Sequence, residues 1–123
     1  MGQKKKILIV EDEAINALSL QMVIEKNGYA TCKIISTGED AIIVADKETP
    51  DLVIMDINLA GQMDGFEAAE IIKVKHEIPI IFLTGYSDED ILLRVKSFEK
   101  SICIKKPINP ERIQLEIEKI FDF

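Results

Sequence analysis

Short apolar segments alternate with longer segments of helical periodicity along the whole chain. The apolar segments are 7–10, 30–35, 52–55, 80–83 and 102–104. Four of the five are almost entirely apolar and do not alternate with polar residues, which is typical of strands whose two faces are both buried. The pattern therefore predicts five parallel strands, joined by helices that cover both faces of one sheet.

Five helices are predicted, one after each strand, and several of their ends carry capping residues. Gly28 is suited to ending the first helix. Thr37 followed by Asp40 predicts a capping box for the second, and Asn109 followed by Pro110 predicts the start of the fifth. The five predicted helices begin near Ala14, Thr37, Phe66, Ser87 and Asn109.

This alternation predicts a single (βα)5 domain over residues 1–123, without a repeat, a linker or a low-complexity segment. A doubly wound parallel sheet binds its ligands at the carboxyl ends of its strands, near the point where the strand order reverses. The residues that directly follow each strand are therefore the first place to look for function.

Composition narrows the possible partners. The chain has 22 acidic and 15 basic residues, a formal net charge of −7, which argues against duplex DNA or an anionic membrane as its partner. No apolar run approaches the ~20 residues that span a bilayer. Lys4, Lys5 and Lys6 lead directly into the first strand without a signal-peptide pattern. Cys32 and Cys103 lie in no metal-binding spacing and are expected to be free thiols, so we expect a cytoplasmic protein.

Charged and hydroxyl side chains follow four of the five predicted strands. They are Glu11 and Asp12, Asp56, Thr84, and Lys106. Three carboxylates at one sheet edge repel each other unless a cation lies between them, and hard oxygen ligands are those that Mg²⁺ prefers. A carboxylate in such a place can act as a nucleophile toward phosphorus, with a lysine neutralising charge on the transferred group.

These residues resemble, in order and spacing, the receiver domains of two-component response regulators, and the resemblance covers essentially the whole chain. Lys106 is followed by Pro107, as the family pattern requires, and residues 63–65 resemble the family's turn into the third helix. The resemblance implies a flavodoxin-like α/β fold, a five-stranded parallel sheet with helices on both faces. It also implies a cis peptide bond between Lys106 and Pro107.

The resemblance assigns a role to each residue at the strand ends. Asp56 is implied to be the phosphoacceptor, Thr84 the switch hydroxyl and Lys106 the phosphate-binding lysine. Mg²⁺ is implied to bind Asp12 and Asp56 directly, Glu11 directly or through water, and the backbone carbonyl of Asn58. Lys105, which does not touch the proline, is expected to be a solvated residue at the strand end.

The implied function is signalling, with no enzymatic activity beyond self-catalysed phosphorylation and dephosphorylation. A sensor histidine kinase would supply the phosphoryl group, and a downstream protein would bind the face formed by the fourth helix, fifth strand and fifth helix. The domain would act as a monomer or as a phosphorylation-dependent dimer, without binding nucleic acid or membrane directly. It would stand alone or be a piece of a larger signalling protein.

Three departures from the family pattern stand out. Glu11 replaces the usual aspartate, and Cys103 occupies a position where the family usually has an aromatic residue. The segment 57–64 has one residue more than the commonest family spacing. Asn58 and Tyr86 fall at positions that in this family tune the lifetime of the phosphoryl group.

Three alternative interpretations compete with a working receiver domain. A Mg²⁺-dependent phosphohydrolase of the haloacid-dehalogenase type would place its nucleophilic aspartate after the first strand, with a second acid two residues on. A flavodoxin-like cofactor binder would have a phosphate-binding loop where this chain has Glu11, Asp12 and Glu13. The third alternative is a degenerate receiver that only binds partners.

Overall fold

A computed structural model of the chain describes residues 4–85 and 89–122. Its strands are β1 (Lys6–Val10), β2 (Ala30–Thr31), β3 (Leu52–Asp56), β4 (Ile80–Thr84) and β5 (Ser101–Lys105). Its helices are α1 (Ala14–Lys26), α2 (Gly38–Glu48), α3 (Gly65–Lys75), α4 (Glu89–Lys96) and α5 (Pro110–Phe121). This alternation confirms the predicted α/β fold.

The strands form one parallel sheet in the order β2-β1-β3-β4-β5. The strand order therefore reverses between β1 and β3, which pair with each other through Val10 and Met55. Glu11 follows Val10 and Asp56 follows Met55, so this register brings both residues to the same edge of the sheet. On the other side of β3, Asp56 pairs with Leu83 of β4, so Thr84 also lies at this edge.

Alternate residues of the central strands build two separate cores. Leu8 and Val10 of β1 belong to the cluster that includes Phe66 of α3 and Val95 of α4. Ile7 and Ile9 belong to the opposite cluster, with residues of α1 and α5 such as Leu20 and Ile113. Because every residue of β3 and β4 is buried, their sequences show no polar alternation. The predicted covering of both sheet faces is confirmed.

Among the residues that the structure describes, side chains cap the starts of three helices. Thr37 accepts a hydrogen bond from the Asp40 amide (3.2 Å), and Asn109 accepts bonds from the Glu111 and Arg112 amides. A capping box in which both hydrogen bonds form lies instead at Asp64 and Glu67 of α3. The D-x-x-E sequence at these residues is typical of such a box, although it was not among the predicted caps. The predicted cap Ser87 lies outside the described residues.

The second strand is much shorter than predicted. Only Ala30 and Thr31 form a ladder with β1, although an isolated bridge between Val10 and Ile35 resumes the pairing. The strand lies at the sheet edge and its two residues are only half-buried, so apolar composition alone overestimated its length. Both cysteines are free thiols, Cys32 buried and Cys103 half-buried. Within 4–85 and 89–122, no helix has the length and apolar content to cross a membrane.

Candidate functional site

Three carboxylates converge at the carboxyl ends of β1 and β3. Glu11, Asp12 and Asp56 each offer one oxygen atom, and these atoms lie within 4.8 Å of one another. Glu11 and Asp56 are buried, whereas Asp12 is exposed. The strand register explains the first two positions, because Glu11 and Asp56 directly follow the paired residues Val10 and Met55. The structure thus brings together the acidic residues that the sequence singled out.

Lys106 joins this cluster from the end of β5. Its Nζ lies 2.9 Å from Asp56 Oδ2 and 3.0 Å from Glu11 Oε1. Its backbone amide donates to the Thr84 carbonyl oxygen (2.7 Å), and the Lys106–Pro107 peptide bond is cis, as the resemblance implied. Burial opposes the charged form, but the Asp56 and Glu11 carboxylates outweigh burial and raise the pKa of Lys106 well above its ordinary value. The lysine therefore stays a cation.

Glu11 is the electrostatically strained member of the cluster. Burial, followed by the neighbouring Asp56, raises the pKa of Glu11 above its ordinary value, although Lys106 acts in the opposite direction. Its Oε2 accepts a hydrogen bond from the Glu13 amide (3.2 Å). Its Oε1 is fully buried and lies 3.0 Å from the Lys106 ammonium. Because the single ammonium of Lys106 is shared with Asp56, the buried Glu11 carboxylate is only partly neutralised.

Asp56 is fixed by both of its carboxylate oxygens. Oδ1 accepts a hydrogen bond from the Asn58 amide (3.0 Å), and Oδ2 accepts one from Lys106. Behind it, the start of α3 packs directly against the strand end, because Gly65 donates its amide to the Ile57 carbonyl (2.8 Å). A Cβ atom at Gly65 would lie 2.3 Å from the Asp56 carbonyl oxygen, so only glycine fits there.

The cluster opens into a solvent-accessible cleft of about 480 Å³. Its walls are formed by Asp12, Glu13, Asp56, Asn58, Gly85 and Lys106. Thr84 is buried at the neighbouring end of β4, and Gly85 leaves open space where a side chain would begin. Tyr86, at a position where the resemblance implies an effect on the phosphoryl lifetime, lies outside the described residues. The cleft volume is large enough to admit a phosphoryl group beside the Asp56 carboxylate.

Two departures noted in the sequence have simple structural counterparts. In the long segment 57–64, Gly61 adopts a left-handed conformation (φ +91°), which accommodates a turn. Cys103 pairs in register with Phe82 and packs beside the apolar core that contains Phe82. Burial raises the pKa of its thiol. The half-buried thiol therefore has a packing role in this structure.

Glu13 is a further charged residue of the cleft to which the sequence assigned no role. Its carboxylate Oε1 lies 3.6 Å from Lys106 Nζ. The only sequence signal was its position directly after Glu11 and Asp12, which is equally typical of a solvated turn. Lys105, expected to be solvated, is exposed.

Comparison with known proteins decides the family. The chain matches the response regulator receiver domain over residues 7–118. It belongs to this family. Sporulation initiation phosphotransferase F of Bacillus subtilis is 34% identical over 116 residues, which cover 94% of this chain and 92% of the relative. Membership favours the receiver interpretation over the phosphohydrolase and the flavodoxin-like cofactor binder.

Other relatives differ from this chain in length and in sequence identity. The transcriptional regulatory protein PdtaR of Mycobacterium tuberculosis is 32% identical over 105 residues, which are 85% of this chain but 51% of PdtaR. The chain spans about half the length of several curated relatives that it matches. The signal receiver domain of a modulated diguanylate cyclase from Desulfovibrio desulfuricans G20 superposes with a TM-score of 0.86 at 30% identity, covering 98% of this chain and 95% of that chain.

Proposed function

We propose that this receiver domain accepts a phosphoryl group on Asp56 in a Mg²⁺-dependent reaction. The observation that carries the proposal is the position of the Asp56 carboxylate, buried at a strand end, 2.9 Å from the Lys106 ammonium and beside two further carboxylates. This arrangement combines a nucleophile with a fixed cation that neutralises a transferred phosphoryl group. Sequence identity to a phosphotransferase of Bacillus subtilis supports the same chemistry.

The donor set of the cleft fits Mg²⁺. Asp12 and Asp56 would bind the ion directly, Glu11 directly or through water, and Asn58 through its backbone carbonyl. The grouping of three carboxylate oxygens within 4.8 Å supports this assignment, because the single Lys106 ammonium does not balance their negative charge. When bound, the ion would stabilise negative charge on the transferring phosphoryl oxygens.

The chemical step is a displacement at phosphorus. An oxygen of Asp56 forms a bond to phosphorus while the P–N bond of a phosphohistidine breaks, and the departing imidazole nitrogen keeps the electron pair and takes up a proton. Lys106 stays positively charged. Its ammonium would pair with the oxygens of the transferred phosphoryl group. Hydrolysis later returns the Asp56 carboxylate and releases inorganic phosphate. We propose a sensor histidine kinase as the donor, as the family implies.

The surface beside the cleft supports a protein as the phosphoryl donor. Helix α1 leads away from the acidic turn and exposes Ile15, Leu18 and Met22, which lie on one face at helical spacing. Exposed apolar side chains grouped in this way are typical of protein contact surfaces. A protein donor that rests on this face would hold its phosphohistidine near Asp56.

We propose that the signal leaves through the face formed by α4, β5 and α5. The amide of Lys106 donates a hydrogen bond to the Thr84 carbonyl oxygen. Movement of either residue toward a phosphoryl group would therefore shift the ends of both β4 and β5. Leu93 of α4 and Leu115 of α5 are exposed, which favours a protein partner over a nucleic acid. Phosphorylation would change the affinity for this partner or for a second copy of the domain.

The remaining features of the proposal follow from the family. Residues 1–123 would form one receiver domain, alone or joined to further domains as in the longer relatives. The reaction would take place in the cytoplasm, without direct contact with nucleic acid or membrane. The experiment that tests the proposal is phosphorylation by a small phosphodonor, read as a mass increase that requires Asp56.

A further inference from the structure

The ammonium of Lys106 is shared among three carboxylates, and the third of these belongs to Glu13. The distances from Nζ are 2.9 Å to Asp56, 3.0 Å to Glu11 and 3.6 Å to Glu13. The first two carboxylates are buried within the proposed phosphorylation site. Glu13 instead reaches Lys106 from the mouth of the cleft, where its side chain is 67% exposed.

Local structure holds the Glu13 carboxylate at this place. Glu13 is the N-cap residue of α1, and its backbone amide donates to Glu11 Oε2. Its Oε1 atom lies 3.4 Å from Asn16 Nδ2, in the first turn of the same helix. The segment from Glu11 to Glu13 therefore folds around the lysine, with one carboxylate below the ammonium and one at the rim.

The charges at the cleft are out of balance. Glu11, Asp12, Glu13 and Asp56 supply four carboxylates against the single ammonium of Lys106, a formal charge of −3. A bound Mg²⁺ would reduce this to −1, and an arriving phosphoryl group would add further negative charge. Glu13 is the carboxylate among the four that has neither a proposed metal contact nor a proposed role in the chemistry.

We propose that Glu13 is a positioning residue that restrains phosphorylation of Asp56. It competes with the incoming phosphoryl group for Lys106, and it repels anionic donors at the mouth of the cleft. This inference rests on the proposed function, because it presumes that the phosphoryl group reaches Asp56. Because Glu13 is largely exposed, its effect should be modest and sensitive to salt.

The test compares Glu13→Gln with wild-type protein and two other variants. Glu13→Asp keeps the charge, and Glu118→Gln on α5 removes one negative charge from an exposed glutamate remote from the cleft. Initial phosphorylation rates are measured by intact mass at saturating Mg²⁺, with acetyl phosphate and with the less charged phosphoramidate. In low salt, Glu13→Gln should react about two- to five-fold faster with acetyl phosphate, the range expected for an exposed charge contact.

Because the proposed effect is electrostatic, it should depend on salt concentration and on the charge of the phosphodonor. The acceleration should shrink toward wild-type rates in ~0.5 M salt and should be smaller with phosphoramidate. Glu13→Asp should stay within about two-fold of wild type, since it keeps the charge, and Glu118→Gln should behave as wild type. In Mg²⁺-free protein without a phosphodonor, the Lys106 Nζ resonance should shift in Glu13→Gln and stay in place in Glu118→Gln.

The outcomes separate the inference from the proposed function. If wild type is labelled on Asp56 but Glu13→Gln reacts at the same rate or more slowly, the inference is overturned and the proposed function stands. An acceleration that persists unchanged in high salt also overturns it, because a charge effect would be screened. If wild type is not labelled at all, the proposed function fails and this inference fails with it, whatever the Lys106 resonance shows.

Discussion

Lys106 and Asp56 form a part-buried ion pair across the sheet, with Nζ and Oδ2 2.9 Å apart and 50 positions apart in sequence. Two strand ends, those of β3 and β5, must be correctly placed for this contact to form. The pair connects the fold to the proposed chemistry, because it places a permanent cation beside the proposed nucleophile.

Replacing Lys106 should destabilise the Mg²⁺-free protein. Lys106→Met leaves the buried carboxylates of Glu11 and Asp56 without their cation, and breaking a buried ion pair in this way costs about 3 kcal/mol. Urea unfolding at pH 7 measures the loss. Lys105→Met is the matched control, because that neighbouring lysine is exposed and should change stability little. Equal effects of the two substitutions would contradict the importance of the pair.

Glu11 should make the Mg²⁺-free protein lose stability as the pH rises. Its pKa is raised in the folded state, so between the unfolded and folded pKa values the native protein binds more protons than the unfolded chain. This contribution to the free energy of unfolding is present below the unfolded pKa and is lost as pH rises through the folded pKa. Other carboxylates titrate in the same range, so the comparison is with Glu11→Gln.

The measurement is urea unfolding of both proteins in chelator, from about pH 4 to pH 8. Glu11→Gln should gain stability relative to wild type as the pH rises. A difference between the two proteins that is constant over this range would show that the Glu11 pKa is not raised by folding.

Much of this edge of the sheet could be predicted from sequence, for a physical reason. Strands β1, β3 and β4 are buried on both faces, so their apolar runs stop only where polar side chains begin at the sheet edge, at Glu11, Asp56 and Thr84. The charged and hydroxyl side chains at these strand ends can therefore be recognised in the sequence. The half-buried edge strand β2 offers no such contrast, and its length was therefore overestimated.

Contacts between side chains from distant segments could not be predicted in the same way. The approach of Glu13 to Lys106 depends on how α1 begins and how β5 ends, and neither is encoded in a local spacing. The capping box of Asp64 and Glu67 is different, because its two residues are three apart and their pattern was present in the sequence.

Gly65→Ala should lower stability and slow phosphorylation together. The added Cβ would lie 2.3 Å from the Asp56 carbonyl oxygen, so the backbone of Asp56, the proposed phosphoacceptor, or the start of α3 must move. Overpacking of this kind costs about 1–3 kcal/mol. Thermal or urea unfolding gives the loss, and the phosphorylation rate gives the displacement of Asp56.

Gly85→Ala is the control for stability, because nothing lies within 4 Å of its added Cβ. We expect its free energy of unfolding to stay within about 0.5 kcal/mol of wild type. A Gly65→Ala protein as stable as Gly85→Ala would contradict the close packing of α3 on the strand end.

Millimolar Mg²⁺ should raise the melting temperature, because the proposed site is the folded carboxylate cluster, which the unfolded chain lacks. Asp12→Asn should remove most of this rise, since Asp12 is the proposed exposed ligand. Asp122→Asn, an equal change at the exposed end of α5, should keep it. A rise of the same size in Asp12→Asn would contradict the proposed ligand set.

The central claim is that Asp56 accepts the phosphoryl group, and intact mass spectrometry tests it most directly. Incubation with acetyl phosphate and Mg²⁺ should add about 80 Da once to wild-type protein and to Asp122→Asn. The gain should be absent in Asp56→Asn and in wild-type protein with chelator. An unchanged wild-type mass with Mg²⁺, or undiminished labelling of Asp56→Asn, would contradict the account.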